Sequence, residues 1–297
     1  MKIIPFFIHF KYILAFLSYT RSMHIHSISK VLGLPIVLLT IGILYYTWSS
    51  NTQLSPYLVV PAILLVFLYV FHGPLDHWWL VRFPVPFEPK LKDWLEKYFL
   101  PYQKLDTDHK RKFEYRSSLY LDARLFKSVG SELRDVPEDI KLMVAAHGVY
   151  MCLALDDYLI GDMDRIFLYK HPFPTPEYPR LHTVETNIED GVIILSLEQL
   201  TNAVLYPDDY YNIGFHAYAE AFVGVNDNIL FPDCTYTWEK IEEISGWNKD
   251  TLLAQTGLEE LSLLPVHITL FFTKTIQYQK VLPGHYERFC IIFNQRP

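Results

Sequence analysis

The feature that most constrains this chain is a run without charge. No Asp, Glu, Lys or Arg occurs between Lys30 and Asp76. A domain surrounded by water needs charged side chains on its surface, and Lys, Arg, Asp and Glu are the residues least often buried. Val31 to Trp48 (VLGLPIVLLTIGILYYTW) and Pro56 to Phe71 (PYLVVPAILLVFLYVF) are apolar throughout. A bilayer core takes about 20 apolar helical residues, with a range of about 17–25. The first stretch fits, and the second fits when its uncharged flanks are counted. Pro35 and Pro61 are tolerable in helices whose neighbours re-satisfy the freed backbone groups. Tyr45, Tyr46 and Trp48 at one end, with His77, Trp78 and Trp79 near the other, sit where interfacial aromatics belong. The alternative is a hydrophobic hairpin buried in a soluble core, and the length of the charge gap argues against it.

These observations divide the chain into a basic N-terminal segment (1–30), a two-span transmembrane hairpin (31–80), a proline-rich linker (81–89) and one domain (90–297). Lys2, Lys11, Arg21 and Lys30 precede the first span, and no acid accompanies them. The positive-inside rule keeps them in the cytoplasm. Two spans, joined by the polar turn Asn51 to Ser55, then return the following domain to the same side. Within residues 1–22, Lys11 interrupts an apolar stretch, and no small-residue cleavage site of a signal peptide follows. An interfacial helix and a true start at Met23 rather than Met1 are both open.

All 33 acids of the 297-residue chain lie after residue 75, where they outnumber the bases. An acidic domain lacks the basic surface that displaces counterions from phosphates, so nucleic acid is not an expected partner. Cys152, Cys234 and Cys290 are odd in number and widely spaced without a CxxC, which argues against a disulfide framework and against a thiolate zinc site.

Apolar periodicity predicts helices over Leu91–Leu100, Lys104–Phe126, Ile140–Leu155 (opened by Asp135, Pro137 and Glu138), Tyr210–Val223 and within Leu258–Tyr278. RIFLY (165–169) and GVIIL (191–195) predict strands, and Ser196 with Gln199 predicts a capping box. Asp208 and Asp209 are read as helix caps, and Asp156 and Asp157 as solvated residues at a helix end. Tyr206, Tyr210, Tyr211, Tyr218 and Phe222 are read as packing. Mostly helices around a small sheet make an α+β domain.

Several stretches in this order resemble the Mlc titration factor A group, the MtfA-like zinc-dependent peptidases of bacteria. They are LKDWLEKYFLPYQKLDTDHKRKF (from Leu91), DVPEDIKLMVAAHGVYMCLAL (from Asp135), RIFLYKHPFP (from Arg165), GVIILSLEQL (from Gly191) and FFTKTIQYQKVLPGHYERFCIIFNQRP (from Phe271). The resemblance covers about residues 90–297. It implies a zincin-like, gluzincin-type domain, a bacterial inner-membrane setting with the domain cytoplasmic, and a transcriptional regulator of sugar uptake as a possible partner beside the lipid bilayer.

The resemblance also implies a zinc helix carrying HExxH. Two His one helical turn apart share the metal, the Glu polarises the metal-bound water, and a Glu from a later helix is the third ligand. The corresponding stretch here is GFHAYAEAFV. His216 matches the first ligand, Ala217 stands at the general-base position, and Glu220 stands at the second ligand. Counting back from Leu270, Phe271, Phe272, Pro283 and Tyr286 puts the third ligand on Ser262, with Glu259 and Glu260 on other sides of a helix. Loss of a general base alone costs on the order of 10²–10⁴ in rate. The expectation is no catalytic residue, vestigial metal positions and no cofactor, with zinc only if the site still functions. His267 is expected to be a surface or core histidine. No G-x-S-x-G, P-loop or GxGxxG occurs. The leading expectation is a non-catalytic binding or regulatory module. The competing ones are a metallopeptidase with a rearranged site (His216, Glu220 and Glu260) and a structural partner of a membrane complex.

Overall fold

The computed structural model describes residues 27–49, 52–130, 135–235 and 238–297. Lys2, Lys11, Arg21 and Met23, on which the expectations for the N-terminal segment turn, lie outside them. The chain divides into two compact units, 1–86 and 87–297.

In the first unit, α1 (Ile28–Ser49) is followed by a 3₁₀ turn (Thr52–Leu58), α2 (Val59–Val70) and α3 (His72–Arg82). At 1.5 Å per residue α1 is roughly 33 Å long, and most of its side chains are exposed. Among the described residues, Ile28–Trp48 is the one helix long and apolar enough by itself to cross a membrane. The stretch expected to form the second span is a bent pair: Ser55–Val70 and His72–Arg82 meet at an angle of 68°. Pro74 explains the break, since a proline ring collides with the carbonyl four residues back, here that of Val70. The expected polar turn at Asn51–Ser55 is corrected, because Thr52 onward is already 3₁₀ helix. Asp76, the first acid of the chain, holds the start of α1. Its carboxylate accepts from the Ser29 amide and from the Ser27 and Ser29 hydroxyls, each at 2.8 Å.

The second unit runs α4 (Pro89–Tyr98), α5 (Leu100–Gln103), α6 (Thr107–Ala123), β1 (Leu125–Val129), α7 (Glu138–Met151), β2 (Arg165–Tyr169), β3 (Val184–Asn187), β4 (Val192–Ser196) and α8 (Leu197–Leu205). It continues through α9 (Ile213–Val225), α10 (Trp238–Ser245), α11 (Lys249–Thr256), α12 (Leu263–Thr273), α13 (Thr275–Val281) and α14 (Pro283–Phe293). The sheet order is β1-β2-β4-β3; β1, β2 and β4 are parallel, and β3 is an antiparallel edge strand. The mostly helical α+β expectation holds for this unit.

Local chemistry sets the boundaries. Asp106 caps α6 by accepting from the His109 amide at 2.8 Å. The helix predicted to run to Phe126 stops at Ala123, because residues 125–129 pair in register with β2 and tertiary pairing overrides the helical pattern. Ser196 occupies the N-cap of α8 but makes no cap bond. Its amide is committed to Thr183 across the sheet, so the expected capping box does not form. A helix does lie within Leu258–Tyr278: α12 opens at Leu263, and α13 follows it from Thr275.

The core is built on three helices with little polar face: α7 is buried from Leu142 to Met151, α9 from Ile213 to Ala219, and α12 from Pro265 to Phe272. A helix apolar on all sides belongs in the interior. Gly148 lets α7 approach α9, since a Cβ there would stand 2.7 Å from the Tyr218 ring. That ring is fixed by its hydroxyl contact with Tyr120 at 2.9 Å.

His147 is enclosed in this core. Its Nδ1 donates to the Met143 carbonyl at 2.8 Å, and its ring packs edge-on against Phe215 and Phe99. Burial pushes its pKa down to about 4. An unfolded histidine titrates near about 6.5, so the unfolded chain takes up the proton first as pH falls. The stability this group contributes is complete above pH of about 6.5 and declines as pH falls toward about 4. His147→Leu is expected to remove about 3 kcal/mol of that acid-induced decline, read from urea midpoints of the detergent-solubilised chain across that pH window. An unchanged pH slope would contradict this assignment.

Candidate functional site

The helix carrying GFHAYAEAFV is α9. The Asn212 side chain caps it by accepting from the Phe215 amide at 3.0 Å. The expected caps Asp208 and Asp209 do not serve, and Asp208 instead pairs with Lys274 at 2.6 Å on the surface. Asn212 wins because it directly precedes the first helical residue, which is the geometry a cap needs.

One helical turn separates His216 from Glu220, and the two side chains meet: His216 Nε2 lies 3.2 Å from Glu220 Oε1. The other ring nitrogen is engaged by the Tyr211 hydroxyl at 2.8 Å. Burial raises the Tyr211 pKa, keeping the phenol protonated. With that hydroxyl donating to Nδ1, the ring proton falls on Nε2, which lies near the carboxylate without making a hydrogen bond. Burial alone would push the Glu220 carboxyl up, but the His216 ring and the nearby Thr186 hydroxyl outweigh it and hold it below the usual glutamate range. His216 is fully buried and Glu220 is one quarter exposed at its side chain. Ala217 is fully buried.

Glu220 opens onto a cleft of about 810 Å³. One wall is the edge strand β3 with Glu185 and Thr186, and the other is the loop carrying Glu259, Glu260 and Ser262. Ser262 is the N-cap position of α12. Residues 257–262 are loop, which corrects the expectation that Glu259 and Glu260 point to different sides of a helix. The cause is Gly257, which ends α11 in the left-handed conformation at φ 73° and lies against the Leu181 carbonyl, where a Cβ would collide. Both glutamates therefore line the same cleft as Glu220, and Glu259 also pairs with Arg180 at 3.0 Å.

At 216, 220 and 262, the positions that the resemblance pairs with zinc ligands, stand one imidazole, one carboxylate 3.2 Å from it and one neutral hydroxyl. A hydrolytic zinc site takes three protein ligands, each presenting a lone pair, and an open fourth position. Of the three residues present, His216 and Glu220 are ligand types that zinc accepts, with Nε2 left without a hydrogen bond 3.2 Å from the carboxylate, whereas Ser262 offers only a neutral hydroxyl.

Sequence reading missed a second buried pair in the cleft wall. His182 Nε2 lies 3.0 Å from Glu185, both are buried, and Thr175 donates to the same carboxylate at 2.7 Å. Their spacing of three residues was visible, but an extended segment gives it no local meaning. Of the aromatic group, Tyr211 and Tyr218 are fully buried and Phe222 nearly so, whereas Tyr206 is exposed. His267 is buried on α12, in keeping with its expected core placement.

The contact at His216 predicts the behaviour of Glu220 variants. Glu220→Ala removes the carboxylate 3.2 Å from the buried Nε2, at an expected cost of about 1–3 kcal/mol, whereas Glu220→Gln keeps an oxygen there and is expected to cost less. Chemical denaturation of the two variants beside wild type checks the order; equal losses would show that the contact contributes nothing.

No curated protein matches the chain. The glucose-regulated metallo-peptidase M90 family does match, over residues 78–222, a span that takes in α9 with positions 216–220 and stops before Ser262. That match, over just under half of the chain, supports the likeness to the MtfA-like zinc peptidases.

Proposed function

We propose that this protein is a membrane-anchored, non-catalytic member of its family that works as a binding or regulatory module on the cytoplasmic face. The observation that carries the reading is the state of α9: an alanine, sealed from solvent, at the position the resemblance gives the general base, beside the His216–Glu220 contact. Alanine accepts no proton, and hydrolysis needs a base within hydrogen-bond reach of the attacking water.

The cleft suits an extended protein segment. β3 is a sheet edge, and an extended chain can add to such an edge through its backbone. Four glutamates (Glu185, Glu220, Glu259 and Glu260) line the space, which favours a basic segment. A transcriptional regulator, the partner class the family resemblance implies, would offer such a segment. Nucleic acid itself does not suit an acidic surface.

For the anchor, α1 supplies one span. The bent pair α2–α3 supplies the return, supported by the Asp76 contacts that tie the start of α1 to α3, so that the chain leaves on the side it entered.

A second reading, a metallopeptidase with a rearranged site, draws on Glu260 sharing the cleft with Glu220. Hydrolysis of an unfolded protein substrate and a panel of amino-acid anilides, with and without chelator, separates the two. Wild type and His216→Ala are expected to be alike and near background. Chelator-sensitive turnover by wild type that His216→Ala abolishes would establish the rearranged peptidase. Independently, the full chain is expected to stay with membranes through alkaline carbonate extraction, and release into the supernatant would refute the anchor.

A further inference from the structure

A different part of the domain carries a metal-binding constellation. Cys234 lies in the segment after α9, His267 on α12 and His285 in the first turn of α14. One potential ligand atom from each lies within 4.8 Å of the other two. None of the three lines the cleft at Glu220. We propose that Cys234, His267 and His285 form a zinc(II) site, separate from the family's zinc position.

The donor chemistry suits the ion. Thiolate and imidazole together select zinc among the abundant divalent cations, and three protein ligands with an open fourth position make a recognised zinc arrangement. Zinc–nitrogen and zinc–sulfur bonds of about 2.0–2.3 Å set ligand separations of roughly 3.3–3.7 Å in a tetrahedron. The observed group, with ligand atoms within 4.8 Å of one another, therefore needs a closure of at most about 1.5 Å, within the reach of side-chain rotations. Cys234 and His267 are buried, so the ion would sit away from bulk water.

The surroundings orient the ligands. The Tyr278 hydroxyl holds His267 Nδ1 at 2.9 Å, which makes Nε2 the atom that would face the metal. Partners on the far nitrogen of a ligating histidine commonly fix its ring in this way. The His285 ring stands 5.9 Å from that of His267, inclined by 67°. His285 Nδ1 is buried without a hydrogen-bond partner. A metal would give that nitrogen the partner the protein does not. On binding, the Cys234 thiol loses its proton to solvent and the sulfur coordinates as thiolate, so one proton is released per ion bound. The ion would clip α12 and α14 to the segment after α9, three stretches distant in sequence.

The test is cobalt(II) titration of the full chain in detergent after chelator treatment, followed by zinc(II) displacement. Wild type is expected to take up one cobalt with a thiolate-to-cobalt charge-transfer absorption that zinc abolishes. Cys234→Ser is expected to lose that absorption, and His285→Ala to weaken uptake by at least about tenfold, with circular dichroism confirming the fold of each. Should Cys234→Ser not fold, His285→Ala carries the test alone, as its position is only partly buried. His216→Ala is expected to bind like wild type. Absence of the absorption in wild type, its persistence in Cys234→Ser, or its loss in His216→Ala would overturn the assignment.

Discussion

The enclosure of α9 is the constraint on which the rest of the second unit depends. This helix packs against α12 on one side, α7 on another and the edge strand β3 on a third. It has almost no polar residue with which to face water, so it folds only if every neighbour is in place. The small residues at the crossings make the approach possible. Gly148 on α7 admits the Tyr218 ring, and alanines at 217, 219 and 221 keep α9 slim where its neighbours press. The two polar residues that remain, His216 and Glu220, lie 3.2 Å apart. A buried polar group without a partner is expensive; the Tyr211 hydroxyl meets that demand at His216 Nδ1, and Nε2 is left without a hydrogen bond.

How much of this was legible in the sequence depends on where each element draws its stability. β2 and β4 announce themselves as short β-branched runs, and α7 and α9 as apolar stretches of helical length, because the signal lies in their own residues. LFKSV and VETN do not, because β1 and β3 exist by pairing with strands distant in sequence. The charge gap revealed α1, but the bend at Phe71 was hidden: Pro74 could be tolerated or disruptive, and only its place relative to Val70 decides. The expectation of a helix at Ser262 failed through one glycine, Gly257, whose left-handed conformation ends α11 and leaves 257–262 as loop.

The site divides along the same line. His216, Ala217 and Glu220 were readable because HExxH is a local pattern with a fixed helical meaning. Tyr211, which orients His216, was seen only as packing. His182 with Glu185, and Cys234 with His267 and His285, were unreadable because no spacing rule connects residues that meet only through tertiary structure. The absence of a CxxC argued against a thiolate site, yet a mixed site needs no such pair. One cysteine suffices when two helices each bring an imidazole.

The burial of Ala217 bears on how such a site is lost. An active member needs a carboxylate at this point of the helix, exposed to a metal-bound water. A carboxylate in the environment Ala217 occupies would be desolvated without a cation, a cost of several kcal/mol per ion even after relaxation. Active-site polarity and a well-packed core pull in opposite directions, and substitutions that relieve the first commonly strengthen the second. Once the metal no longer supplies positive charge, alanine at 217 and an internal His216–Glu220 contact are the arrangement that lets α9 close. On the non-catalytic reading proposed above, the alanine and the His216–Glu220 contact are two consequences of the same packing demand, and the glutamate-lined cleft beside them is the part left for a partner.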